Sequence, residues 1–260
     1  MKCVIVAAGM STRLRPLTDR QPKCLLKVGG KAILARTVSS LLAEGITDIA
    51  VVVGFEAAKV RLHLQQAFPG RKFRLILNPR YATTNNAYSL LLSREFFLGR
   101  EPRRDDGDSL LILDSDIVFD RRVLSTLDVG RNGNRLAVQK RSAYGPEEIK
   151  VRVDKDGNVT RIGKDLGSGE VHGESIGIEL FSHDSGRLLF RTLERRVRLG
   201  DGRTEFYEAA FQEMIDAGTK VNAVDVSQYP AIEIDTLDDL ERAEKDIAAQ
   251  IDDDRGVRVP

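Results

Sequence analysis

The chain has 260 residues, 42% of them apolar, with 40 basic and 39 acidic side chains and a formal charge of +1. That length suits one large α/β domain or two small ones, and the apolar share is enough for a core. The near-neutral balance argues against general nucleic-acid binding, which shows as a basic excess.

No apolar run reaches the ~20 residues that span a bilayer. The start also lacks the basic head, apolar run and cleavage site of a signal peptide. A cytoplasmic protein with no membrane partner is therefore the expectation. The two cysteines, Cys3 and Cys24, have neither metal nor redox spacing, so a disulfide framework is not expected.

Strand and helix signals alternate through the first half. "KCVIVAA" (2–8) is a buried-strand pattern, and "ILARTVSSLLAEG" (33–45) has helical spacing and a glycine stop. "DIAVVVGF" is a strand, "EAAKVRLHLQQAF" a helix and "FRLILN" a strand. "NNAYSLLLSREFF" reads as one helix and "SLLILDSDIVF" as a strong central strand. This alternation implies βαβ units and a mostly parallel sheet.

Between these, "GREPRRDDGD" (99–108) reads as a solvated loop. The second half begins with strand-like "RLAVQKR" and "KVRVDKDGNVTRIGK", with Asp156-Gly157 as a hairpin turn. "ESIGIELFS" and "KVNAVDVS" are further strands. "HDSGRLLFRTLERRVRLG" and "EFYEAAFQEMIDAG" are helical, and "TLDDLERAEKDIAAQI" reads as a closing amphipathic helix. One three-layer domain over residues 1–251, with an antiparallel addition, is the economical organisation. A polar, mobile tail over 252–260 is expected.

Ligands of open α/β sheets bind beyond the carboxyl ends of the strands. Ala7, Ala8 and Gly9 fall there, and small residues let the backbone approach an anion. Met10, Ser11 and Thr12 continue that loop. Arg13 and Lys23 could neutralise phosphate charge, one as a fork and one as a point charge. On spacing alone a phosphate site and a solvated basic turn are equally supported, because the stretch is neither a P-loop nor a dinucleotide fingerprint.

"LILDSDIVF" puts Asp114 and Asp116 at the end of an apolar strand, two residues apart and so on one face. Two carboxylates on one face call for a cation, and Mg²⁺ suits them. A helix cap is the plainer alternative. Glu233 and Asp235 near the end present the same pattern. In "NPRYATTNNAYSL", paired asparagine amides suit a base edge, and an N-cap is again the alternative. His63 reads as structural.

The stretch "AAGMSTRLRPLT…PKCLL" resembles the signature A-A-G-x-G-[ST]-R-[LM]-x-P-L-T…P-K-x-L of the nucleotidyltransferases that make nucleoside-diphosphate sugars and alcohols. Ser11 departs from it, standing where glycine is common. "NPRYATTNNAYSL", "DSDIVFD", "EEIKVRVD", "IGKDL", "GESIGIELFS" and "VDVSQYPAIEIDTLDDLERA" extend the likeness to the cytidylyltransferase branch over almost the whole chain.

That resemblance implies a three-layer α/β/α Rossmann-like (GT-A-like) nucleotidyltransferase fold with a mixed, mostly parallel sheet. It implies Mg²⁺ on Asp116 and Asp235, and catalytic roles for Arg13 and Lys23. The nucleotide would lie on Ala7 to Arg13, Asn85, Asn86, Ser89 and Asp114. Lys150, Lys164 and Glu174 would hold the acceptor, and Arg15 has no assigned role.

The partners implied are CTP and a small phosphorylated alcohol or phosphonate, of the phosphocholine, inositol 1-phosphate or 2-aminoethylphosphonate type. A homodimer is left open. A sugar-1-phosphate uridylyl- or thymidylyltransferase is the alternative enzyme. A nucleotide sensor without turnover and an RNA-binding module built on "LERRVRLGDGR" (193–203) are alternatives of other classes.

Overall fold

The computed structural model describes residues 1–99, 107–167 and 169–251. Most of the expected loop at 99–108 and the tail at 252–260 lie outside the described residues. The first half runs β1 (Lys2–Ala7), β2 (Lys27–Val28), β3 (Lys31–Ala32), α1 (Ile33–Ala43), β4 (Asp48–Val53), α2 (Ala57–Ala67) and β5 (Arg74–Leu77). It continues through α3 (Asn86–Leu92), α4 (Arg94–Leu98), β6 (Leu110–Asp114), β7 (Ile117–Phe119) and α5 (Arg122–Thr126). The second half holds β8 (Arg135–Gln139), β9 (Lys150–Val153), β10 (Val159–Gly163), β11 (Gly173–Phe181), α6 (His183–Leu199), α7 (Glu208–Asp216), β12 (Asn222–Asp225), β13 (Ala231–Glu233) and α8 (Leu237–Arg242).

A nine-stranded sheet runs β10-β9-β11-β6-β1-β4-β5, with β8 beside β11 and β12 beside β8. The β6-β1-β4-β5 part is parallel, as helical crossovers require. β11 runs antiparallel to β6, β8 and β9 and carries the antiparallel addition. The fold is therefore the Rossmann-like mixed sheet expected.

Strand pleating divides the core into two layers. Cys3, Ile5 and Ala7 face one side, packed with Leu34 and Val38 of α1 and Val60 and Leu64 of α2. Val4 and Val6 face the other, with Leu90 of α3, Leu189 and Phe190 of α6 and Phe211 of α7. A third cluster, including Leu14, Val28, Ile33, Val118 and Ile234, lies under the loop after β1. Cys3 and Cys24 are both free and buried. Among the described residues no helix is long and apolar enough to cross a membrane.

Three expectations are corrected. The helix expected over 85–97 breaks at Ser93, whose hydroxyl donates to the Leu90 carbonyl at 2.7 Å as α3 gives way to α4. The closing helix is regular only over α8 and widens into a π-helical turn from Ala243 to Ile247. Most consequentially, the central strand stops at Asp114: Ser115 and Asp116 form a turn, and β7 then pairs with β13 instead of the main sheet. Asp114 and Asp116 thus do not share a strand face.

Candidate active site

The loop after β1 is pinned from below and open above. Leu14 is 1% exposed in the third cluster and fastens a short 3₁₀ turn, Thr12–Leu14. Ser11, at φ 50°, takes the left-handed conformation that glycine adopts freely, and its carbonyl accepts from Thr18 Oγ1 at 2.7 Å. This is why the resembling signature carries glycine there. A Cβ on Gly9 would meet nothing within 4 Å, so the loop's outer side is free for a ligand.

Asp116 and Asp235 meet because β7 and β13 pair. Ile117 lies opposite Glu233, and Ile234 N donates to the Asp116 carbonyl at 3.0 Å. A capping box, with Thr236 Oγ1 receiving Asp239 N and Asp239 receiving Thr236 N, starts α8 and presents Asp235 just before it. The cap role falls to Thr236, which leaves Asp235 to face the cleft.

Between the two carboxylates lies an ammonium. Lys23 Nζ is 2.7 Å from Asp116 Oδ2 and 2.7 Å from Asp235 Oδ1. Burial alone would lower the Lys23 pKa, but Asp116 and Asp235 raise it well above the ordinary lysine value. Arg13 Nη2 adds a 2.9 Å bond to Asp235 Oδ2. Desolvation pushes the Asp235 carboxyl up, but Lys23 and Arg13 prevail and hold it below the usual range.

Glu233 completes a carboxylate trio: one oxygen from each of Asp116, Glu233 and Asp235 lies within 4.8 Å of the others. Glu233 keeps surface open to solvent, yet its carboxyl is pushed up to about 8, first by desolvation in the cleft and then by the like charges of Asp116 and Asp235. Asp116 Oδ1 is buried with no hydrogen-bond partner.

These groups line one cleft of about 560 Å³. Of the residues expected to hold nucleotide, Ala7, Ala8, Gly9, Ser11, Thr12, Arg13, Asn85, Asn86, Ser89 and Asp114 line it, and Met10 does not. The asparagine amides also have structural work. Asn85 Oδ1 caps α3 on Asn86 N at 2.8 Å, and Asn86 Oδ1 accepts from Tyr207 N at 2.9 Å.

Of the expected acceptor residues only Lys164 lines the cleft, bonded to Glu147 at 2.9 Å and placed over the Phe206 ring at 4.4 Å. Lys150 instead donates to the Lys164 carbonyl at 2.8 Å, bracing it from behind. Glu174 is buried and paired with Arg141 at 2.9 Å. Arg15 pairs with Asp19 at 3.3 Å on the surface.

Glu147, Phe206 and Glu208 line the cleft without having been singled out from the sequence, and Tyr81 and Glu233 line it too. Glu233 was read only as a face-mate of Asp235. Within the basic 193–203 run, Arg196 pairs with Glu205 and Glu213 at 2.8 Å, and Arg195 also pairs with Glu213.

Comparison with known proteins agrees with this geometry. The chain is 33% identical over 162 residues to the CMP-5'-(3-aminopropyl)phosphonate synthase of Streptomyces rubellomurinus, covering 62% of this chain and 24% of that one. The chain thus spans about a quarter of that relative's length. It is 27% identical over 255 residues to the CTP:phosphoglutamine cytidylyltransferase of Campylobacter jejuni, covering 93% and 98% of the two chains.

The solved CTP:phosphocholine cytidylyltransferase of Streptococcus pneumoniae shares the fold, with a TM-score of 0.78 at 22% identity over 94% of this chain and 97% of that one. The family model for nucleotidyl transferases matches residues 2–162, more than half of the chain. The loop after β1, the carboxylate trio and this match agree: the chain belongs to the nucleotidyl transferase family.

Proposed function

We propose that the protein is a divalent-metal-dependent cytidylyltransferase. It would condense CTP with a small phosphorylated alcohol or phosphonate and release pyrophosphate. The observation that carries this reading is the meeting of Lys23, Asp116 and Asp235 beneath the open loop after β1. The cytidylyltransferase relatives direct the choice of nucleotide.

The residues present fit a divalent ion. Asp116 Oδ1 is a buried acceptor without a partner, and oxygen-only donors from Asp116, Asp235 and Glu233 suit Mg²⁺. Such an ion, held by Asp116 and Asp235, would supply charge neutralisation at the transferring phosphate.

The chain's own residues do the rest. A phosphate monoester has a second pKa near 6, so at neutral pH the acceptor is already an anionic nucleophile. No general base is needed. Arg13 and the amides of Gly9 to Thr12 hold the β- and γ-phosphates and stabilise the charge that grows on pyrophosphate. Lys23 bridges the reacting phosphates as a point charge, and Lys164 takes the acceptor's phosphate. The acceptor oxygen attacks the α-phosphorus in line and the bond to the β-phosphate oxygen breaks. Catalysis is positioning plus charge stabilisation.

The test is a base-preference assay. Pyrophosphate release should require CTP, with UTP, dTTP, ATP and GTP at least tenfold slower. Faster release with UTP or dTTP would replace this reading with a sugar-1-phosphate enzyme.

A further inference from the structure

A second group of acids lies in the same cleft. It consists of Asp114 at the end of β6, Glu179 in β11, and Tyr207 and Glu208 at the start of α7. Glu179 is 0% exposed, Tyr207 0% and Glu208 5%. Asp114 and Glu208 both line the cleft.

The internal bonds of this cluster are few. Ser175 Oγ reaches Glu179 Oε1 at 3.3 Å, and Tyr207 Oη reaches Glu179 Oε2 at 3.5 Å. Glu208 Oε2 is buried and has no hydrogen-bond partner. Gly177 makes room for the cluster: at φ 69°, a Cβ there would lie 2.8 Å from Asp114 Oδ2. Asn86 fixes its position by holding Tyr207 N, which sets the first turn of α7 against the cleft.

A buried carboxylate is costly unless a cation or donors satisfy it. Burial lifts the Glu208 carboxyl to about 7, with Lys164 acting weakly against it. No cationic side chain among the described residues bonds to Asp114, Glu179 or Glu208. Lys164 itself is bonded to Glu147.

We infer that Glu208 is a specificity-determining residue that receives a protonated primary amine of the acceptor. The inference rests on the cytidylyltransferase reading and sharpens its acceptor class. An unpartnered carboxylate oxygen asks for an N–H donor, which an –NH₃⁺ group supplies and a quaternary ammonium does not. A quaternary ammonium asks instead for an aromatic cage. The chain has no Trp, and the Phe206 ring already carries Lys164. A neutral hydroxyl could bond Glu208 but would bring no positive charge to favour its ionised form. An acceptor bearing phosphate or phosphonate at one end and a primary amine at the other matches Lys164 and Glu208.

The experiment compares phosphoethanolamine, 2-aminoethylphosphonate, phosphocholine and glycerol 3-phosphate with the full chain, CTP and Mg²⁺. Pyrophosphate release gives kcat/KM, and calorimetry gives acceptor affinity without turnover. The primary amines should exceed phosphocholine and glycerol 3-phosphate by about tenfold or more in both readouts, the scale of a hydrogen bond between charged groups. Glu208→Gln should raise the amines' KM about tenfold and leave the KM for CTP and the neutral acceptor's KM unchanged. Glu208→Asp should restore part of the affinity.

Equal or tighter binding of phosphocholine would overturn the inference. So would an unchanged amine KM in a folded Glu208→Gln protein. Turnover with another triphosphate in place of CTP would count against the proposed function alone. The amine-against-trimethylamine ratio from calorimetry would still decide the present inference.

Discussion

Lys23 Nζ and Asp116 Oδ2 are 2.7 Å apart, and the same nitrogen is 2.7 Å from Asp235 Oδ1. The lysine therefore stands against the carboxylates that the proposed function assigns to a divalent ion. Ammonium and metal compete until a polyphosphate draws Lys23 toward itself. In the absence of nucleotide, wild-type protein should bind Mn²⁺ at least tenfold more weakly than Lys23→Met, read from the free Mn²⁺ signal by electron paramagnetic resonance. Without metal the variant should be less stable by about 3 kcal/mol, because two partly buried carboxylates lose their counter-charge. Its turnover should fall by about a hundredfold or more. Equal Mn²⁺ affinity in the two proteins would show that Lys23 does not guard the site.

Stability should decline as pH rises across the neutral range. Folding raises the Glu208 carboxyl from 4.5 to about 7, so the folded state binds that proton more tightly than the unfolded one. The favourable contribution is complete below 4.5 and is lost as pH rises toward about 7. Glu233, raised to about 8, extends the window upward. Asp235 works in the opposite direction, since its lowered carboxyl favours the fold only above its ordinary value of 3.8. Thermal melts should give a higher Tm near pH 5 than near pH 8, with Glu208 alone accounting for up to about 3 kcal/mol. Glu208→Gln should flatten the slope. A Tm that rises from pH 5 to pH 8 would contradict this.

Leu14 is the buried foot of the loop after β1. Leu14→Ala should cost about 3 kcal/mol in urea unfolding, the usual scale for a core leucine. It should also weaken CTP binding, because Arg13 precedes that anchor directly. A stable Leu14→Ala protein with unchanged CTP affinity would separate the loop from the nucleotide.

Gly54, just after β4, is where three segments crowd together. A Cβ there would lie 2.5 Å from the Tyr81 Cβ and 2.6 Å from the Ala8 carbonyl. Gly54→Ala must push apart the loop and the Tyr81 segment, both of which line the cleft. The KM for CTP should rise severalfold with a smaller effect on the acceptor, as initial rates at varied CTP will show.

The loop after β1 and the acids Asp116 and Asp235 were legible through the family resemblance, which short local motifs carry: a turn after an apolar strand, and acids beside strand ends. The parallel half of the sheet was legible through alternating periods. Asp114 and Asp116 were read onto one strand because the apolar runs Leu110–Leu113 and Ile117–Phe119 closely flank them, while pairing of Ile117 with Glu233 pulls the second run out of the sheet. That competition is tertiary.

Lys150 and Glu174 carry the right charge in the right strands but do not line the cleft: Lys150 donates to the Lys164 carbonyl and Glu174 pairs with Arg141. Glu208 became visible only when α7 was in place. One signal was available for the second group of acids: "SIGIELF" sets Glu179 among apolar residues of a buried strand, where an acid needs a reason.

The central claim is tested most directly by pyrophosphate release from CTP and a phosphorylated acceptor in Mg²⁺, with wild type and Asp116→Asn side by side. Asparagine keeps the shape of Asp116 and removes its charge. The account predicts turnover by the wild type and a loss of about a hundredfold or more in the variant, with the fold intact by circular dichroism. An Asp116→Asn protein that turns over at the wild-type rate would contradict it.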